Sequence, residues 1–336
     1  AVEQMLQSAA GVEQGAAIST SLKGDPSSLG RAASRCADAL GVPVRILDIA
    51  HDAGRAAWAA SGVAGELVTI TEAALIPADP SERRRRCDAV LRSIGERDRA
   101  AIADRLGEIA DRPMSGRDDA GDQIRAAACV DAIRSVAEHW ADHGTTTDGS
   151  VLIVTGQIAA YLTSGAVPLA ALSTLVPLGR TTVLVDCAGV VAALGTEQLN
   201  ETTGAQLAGA TAAQLFTPAG DLLVVADHPG VAVLIRAGAE EHALLSDGAL
   251  EFDVKAGETA DIEVETEGHR VLAALHGGVA GICVVRGTPS DDVAQAPVVA
   301  RPARVLPIAA PLELLPRSAS ATGGLGGRLL LGDEVE

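Results

Sequence analysis

Residues 151–195 read VLIVTGQIAAYLTSGAVPLAALSTLVPLGRTTVLVDCAGVVAALG, and this stretch limits the fold more than any other part of the chain. Two apolar runs, 151–154 and 182–185, show no polar alternation, which is the pattern of parallel strands buried on both faces. Gly156 turns the backbone after the first run. The Ala/Leu-rich residues 168–178 supply a crossover long enough for a parallel pair. A small-residue helix starts at Ala188. The order strand, crossover, strand, helix is the heart of an α/β domain. Ligands bind beyond the carboxyl ends of such strands, so Gly156-Gln157 and Asp186-Cys187 are the first candidate positions.

Upstream, Asp25-Pro26 is a helix start that Gly41 closes. Residues 44–49 (VRILDI) form a strand with Asp48 near its end. The turn His51-Asp52-Ala53-Gly54 leads to a strand over 55–60, and an alternating strand follows over 66–71, so three consecutive strands form an antiparallel meander. Asp79-Pro80-Ser81-Glu82 is a helix start with the acid in the capping-box position. The run Arg83-Arg84-Arg85-Arg86 behind it reads as a solvated helix face. Further helices are expected over 97–111 and 118–143. Beyond Gly195 the pattern changes. A helix over residues 200–216 would tether a series of short strands over 222–286, separated by Gly-bearing turns, that reads as a small barrel or sandwich. Residues 289–336 are Pro/Gly-rich, a linker that ends in the start of a further segment.

Composition narrows the function classes. The chain has 336 residues and is 48% hydrophobic, but only 1% of its residues are aromatic. It therefore lacks the stacking platforms that single-stranded nucleic acid requires. A net charge of −18 repels phosphate backbones. Lys23 and Lys255 are its two lysines, a bias of the actinobacterial type. Five scattered cysteines without a CxxC pair fit neither a disulfide framework nor a zinc cluster and point to a reducing, cytoplasmic setting. No run of apolar residues is long enough to span a membrane. The chain begins with Ala1, which reads as a processed product or a fragment.

Several constellations carry candidate chemistry. Asp48 precedes a turn where an acid can hold Mg²⁺ and exposed amides can cradle phosphate. That turn wants Gly with Ser or Thr, and here it is Ala50-His51-Asp52-Ala53-Gly54, with Asp52 adding negative charge. Gly156-Gln157 occupies the place of a nucleoside loop, without consecutive glycines. His139 and His143 share a helix face, but their order is E-H-W-A-D-H and no third ligand follows, so no metal is expected. Cys187 at a helix start reads as a small buried thiol.

In this order and spacing, the chain resembles the second half of the glutamate mutase L family, actin/Hsp70/sugar-kinase-like accessory proteins of cobalamin-dependent mutases. The resemblance covers about residues 43–288. Leu47-Asp48-Ile49-Ala50-His51-Asp52-Ala53 resembles the family's D-[IV]-G-x-x-[ST]-T phosphate loop. Ile109-Ala110-Asp111-Arg112-Pro113-Met114 resembles its R-P turn, Leu152 to Gln157 its nucleoside strand and loop, and Leu184 to Gly195 its strand-Asp-Gly-helix segment. Turns at Gly248, Gly257 and Gly277-Gly278 resemble its C-terminal domain.

The resemblance implies an α/β fold, with an actin-like (ribonuclease-H-like) lobe over 43–205 followed by a small all-β module over 206–288. Residues 1–42 would be a partial first segment, the first lobe being absent. Asp48, His51, Asp52, Gly156, Gln157 and Asp186 would line the nucleotide loops. Because the glycines and threonines of those loops are missing, the expected protein is a non-catalytic accessory or chaperone-like factor with a degenerate nucleotide site, no catalytic residue and no cofactor. The alternatives are an ATP-dependent reactivase of a cobalamin enzyme, a weak ATPase binding ATP and Mg²⁺, and a structural or scaffolding subunit of a larger assembly. The expected partner is another protein or the missing lobe, with a cobalamin-dependent mutase as the candidate, and not nucleic acid.

Overall fold

The computed structural model describes residues 27–62, 66–70, 73–94, 98–112, 119–140, 150–196, 216–225, 233–244, 248–266 and 269–286. Helix α1 (Ser27–Leu40) leads into a meander of β1 (Val44–Ile49), β2 (Gly54–Ala59) and β3 (Glu66–Ile70). Helices α2 (Pro80–Ile94), α3 (Arg99–Asp111) and α4 (Asp119–Trp140) follow. Strand β4 (Ser150–Gly156) passes into α5 (Gln157–Thr163), a 3-10 helix (Leu169–Leu175), β5 (Gly179–Val185) and α6 (Val190–Leu194). The remaining strands are β6 (Thr217–Val225), β7 (Val233–Ala237), β8 (Glu240–Leu244), β9 (Ala249–Phe252), β10 (Thr259–Thr266), β11 (His269–His276) and β12 (Ile282–Arg286). The proposed cap residues Asp25 and Pro26, the tether over 200–215 and the segment 289–336 lie outside the described residues.

The fold is mixed α/β, with a large mixed sheet in the order β3-β2-β1-β4-β5-β6-β12-β9 and a second, antiparallel sheet in the order β11-β10-β7-β8. Strand β1 is antiparallel to β2 and parallel to β4, which is parallel to β5. Both faces of these central strands are covered, which explains the uninterrupted apolar runs of β4 and β5. Val44, Ile46, Val151, Ile153 and Leu184 pack against α1 and α6 on one face. Leu47, Ile49, Leu152, Val154, Val183 and Val185 join the core with α2, α4, α5 and the 3-10 helix on the other.

The strands expected as a self-contained β module are distributed over both sheets. β6 pairs with β5 on one side and β12 on the other, and β12 pairs with β9. Their side chains alternate between two cores. Leu223, Leu250, Phe252, Ile282 and Val284 face the second sheet, whereas Leu222, Val224, Ala249, Cys283 and Val285 face the helices of the first. Asp221, fully buried, fastens the junction. It accepts the Thr182 hydroxyl proton at 2.8 Å and the His276 backbone N–H at 2.8 Å.

The arginine run also departs from expectation. Asp79 caps α2 by accepting the Ser81 and Glu82 backbone N–H groups at 2.8 and 3.1 Å. Arg84 is exposed, but Arg86 is completely buried. It donates to Asp131 at 2.6 Å and to the carbonyls of Ala74 and Ala128 at 2.8 and 3.1 Å. A buried guanidinium requires such partners, and α4 and the segment between β3 and α2 supply them.

Candidate functional site

The carboxyl ends of β1, β4 and β5 bring four of the expected residues to one place. Asp48 is the fifth residue of β1 and pairs in register with Thr155 of β4 on one side and Arg55 of β2 on the other. Asp48 is only 2% exposed. Arg55 donates one nitrogen to Asp48 at 3.1 Å and the other to the exposed Asp52 at 3.0 Å. Both acids of the turn are therefore held by one guanidinium. Burial pushes the Asp48 carboxyl up to about 6; Arg55 pulls the other way, and Asp52 and Asp186 add a smaller upward push.

The turn between β1 and β2 is closed by its own backbone, with the Ala50 N–H donating to Ala53 O at 3.0 Å. The Ala50 carbonyl accepts the Leu75 N–H at 2.9 Å. His51 is half-buried and neither ring nitrogen has a hydrogen-bond partner among the described residues. Burial and then the nearby Arg125 lower its pKa, against Asp52. Gly156 ends β4 at φ +79° and begins α5, with the half-buried Gln157 as the first residue of that helix.

Asp186 follows β5, is 4% exposed, and is fully engaged with its own chain. It accepts the Ala188 and Val190 N–H groups on one oxygen at 3.2 and 2.9 Å, and the Val191 N–H on the other at 2.9 Å. Thr155 donates its hydroxyl to the same carboxylate at 3.4 Å. A carboxylate at a helix start satisfies the open N–H groups and suits the helix dipole. The opposite end of α6 is closed from α1, with Arg31 donating to Gly195 O at 2.9 Å and Arg35 to Leu194 O and Thr196 O. Cys36 of the same helix is pushed up to about 12, by burial first and by Asp186 second.

Cys187 is exposed rather than buried, because the turn after Asp186 points it away from the core, and the other four cysteines are buried. His139 engages Ser135 O at 2.8 Å through Nδ1, and His143 lies outside the described residues. Among the described residues, no group of three or more His, Cys, Asp or Glu is placed to hold a metal, and no helix is long and apolar enough to cross a membrane.

Arg55 and Thr155 are the functional neighbours that reading the sequence alone misses. Arg55 is reachable in principle: a strand ending at 49 and another starting at 54 place 48 opposite 55 once the hairpin is paired. Thr155 becomes visible only when β4 is set beside β1. The site thus has two carboxylates at the ends of β1 and β5, the strands that flank β4, one held by a guanidinium and one by backbone N–H groups. Comparison with protein-family models, with curated proteins and with solved structures finds no match to this chain.

Proposed function

We propose that this chain is a non-catalytic accessory or chaperone-like protein, similar in kind to the reactivation factors of cobalamin-dependent mutases, whose nucleotide site is degenerate. The observation that carries the reading is the Arg55 guanidinium at 3.1 Å from Asp48, where an acid in an actin-like lobe would meet a divalent cation. Arg55 supplies that positive charge from within the chain, and the Asp186 carboxylate is committed to α6. The turn after Asp48 has neither the hydroxyls nor the glycines that a phosphate loop uses. The order β3-β2-β1-β4-β5 with an antiparallel β2 supports an actin-like, ribonuclease-H-like lobe for the first part of the sheet. Fold analogy alone does not assign a function, so the mutase connection rests on the resemblance in residue order.

On this reading the chain acts by contact with another protein in the cytoplasm, and nucleotide hydrolysis plays no part. The test is co-purification of the tagged full chain with a cobalamin-dependent mutase of the same cell, in the presence and absence of ATP. ATP-independent association supports the accessory role. Association that requires ATP favours a working reactivase, and no association with a mutase favours a scaffolding subunit.

A further inference from the structure

Among the described residues, β3 and β9 stand at the edges of the large sheet, and β11 and β8 at the edges of the second. An edge strand offers unpaired backbone N–H and C=O groups, and folded chains blunt it by keeping it short, charging it or kinking it. β9 has four residues and β3 has five. β8 also has five, and it carries Glu240 and Glu241. β11 (HRVLAALH) has eight, with no Lys and no Pro, and it pairs with β10 in unbroken register from Thr259–His276 to Thr266–His269. We propose that the amino-terminal half of β11 is the seam of a two-fold homodimer, in which β11 of a second copy pairs antiparallel to it.

The partners of its backbone groups show which way each one points. The His276 N–H donates to Asp221 at 2.8 Å, and the Ala274 carbonyl accepts from Arg180 at 3.1 Å, so both point away from β10. In an antiparallel pair this direction repeats at every second residue, so the backbone groups of Arg270 and Leu272 also point outward. Asp221 and Arg180 close the carboxyl-terminal half of the edge. Among the described residues, nothing closes Arg270 and Leu272 in the same way. The side chains there are apolar and uncovered, with Val271 37% and Leu272 48% exposed. Val271 lies opposite Val264 and extends the apolar face that packs between the two sheets.

The edge selects its own register. With Val271 on the two-fold axis, Arg270 of each copy lies opposite Leu272 of the other, and each such pair exchanges both N–H···O bonds. An axis at Arg270 would set two guanidinium groups opposite each other, which is unfavourable. An axis at Leu272 would need the Ala274 carbonyl, which Arg180 occupies. Charge also fits the Val271 register. Glu265 and Glu263 of β10 lie opposite Arg270 and Leu272, and Arg270 donates to Glu263. A row across the seam therefore reads Glu265, Arg270, then Leu272 and Glu263 of the second copy, which puts each cation between acids of both copies. The aliphatic stem of Arg270 covers Leu272 of the second copy. The occupant is a second copy rather than a lone extended peptide because its β11 is already backed by its own β10. A lone strand added here would itself become an open edge, whereas a two-fold pair closes both.

This seam does not depend on the nucleotide reading. The test is sedimentation equilibrium of the full chain up to about 200 μM, where the expected result is a monomer–dimer equilibrium with a Kd of about 20 μM or tighter. Leu272→Lys adds a cation beside Arg270 of the second copy and should weaken the dimer about tenfold or more. Ala243→Lys, at an exposed position on the β8 edge, should leave it unchanged. The register is tested by Val271→Cys combined with Cys187→Ser, which removes the exposed native thiol. Directly opposite residues of such a pair have Cβ atoms about 4.5–5.5 Å apart, so mild oxidation with added diamide should join two copies through position 271. A monomer at about 200 μM, a dimer indifferent to Leu272→Lys, or a dimer that does not link at position 271 would overturn the proposal. A monomer whose Leu272 amide still exchanges slowly with solvent would overturn it too, and would assign the edge to an extended segment of the same chain.

Discussion

Gly156 stands so close to Asp48 that a Cβ at that position would strike the Asp48 Oδ1 atom, and would meet the carbonyl oxygen of Ile49 at 2.6 Å. The two residues belong to neighbouring parallel strands, and their approach brings the end of β4 against the buried acid of β1. Gly156 also has φ +79°, a region that side chains rarely adopt. Gly156→Ala therefore combines backbone strain with a clash against backbone atoms. It should lower unfolding free energy by about 2–4 kcal/mol in urea denaturation. Gly62 has a similar φ of +73° with nothing within 4 Å of its would-be Cβ. Gly62→Ala should cost only about 1 kcal/mol, the strain alone.

Asp48 makes stability depend on pH in a defined direction. Its folded carboxyl is raised to about 6, chiefly by burial, above the ordinary carboxylate value of about 4. Between those values the folded state holds more protons than the unfolded state, so stability falls as pH rises. The contribution is complete below pH about 4 and lost by the time pH passes about 6, on the order of 2 kcal/mol. Other carboxylates overlay this trend, so the measurement is the difference between the native chain and Asp48→Asn across pH 4–7. The native chain should lose ground to the variant as pH rises. A difference that is flat with pH would mean that Asp48 is solvated.

The Arg86–Asp131 pair tests the buried polar core under α2 and α4. Arg86→Ala removes a guanidinium that serves Asp131 and two carbonyls, leaving a carboxylate that is 2% exposed. The expected loss is about 3–5 kcal/mol by chemical denaturation. Replacing both partners, as Arg86→Met with Asp131→Leu, should recover part of that loss, because neither charge of the pair then remains buried, while Arg134 loses its 3.4 Å contact with Asp131. Arg84→Ala, in the exposed part of the same run, should lie within about 0.5 kcal/mol of the native chain.

Arg84 and Arg86 also mark where the sequence can be read and where it cannot. A charge run reports its own composition, and the carbonyls of Ala74 and Ala128 that draw Arg86 inward come from distant elements. Strands β4 and β5 were legible because burial on both faces leaves an apolar run without alternation. The same sign was present in β6 and β12, where LLVV and ICVV do not alternate, while TADIEVET in β10 does. The first two insert into the large sheet and the third lies in the second sheet, where Asp261 is exposed and Glu263 is covered by Arg236 and Arg270. The Gly-bearing turns between these strands look alike in both sheets and carry no sign of that difference. At the candidate site, Asp48, Gly156 and Asp186 were visible as strand-end residues. Their state was not, because Arg55 and the N–H groups of α6 reach them only through strand pairing and the turn after β5.

On the proposed reading, the strand-end acids are already satisfied by the chain itself and leave no working nucleotide site. Calorimetric titration of the full chain with Mg-ATP tests it most directly. The predicted result is no binding tighter than about 1 mM, equivalent to about −4 kcal/mol. Saturable binding at micromolar ATP, lost in Asp48→Asn, would contradict the claim and show that Arg55 yields its place to the bound nucleotide and its metal.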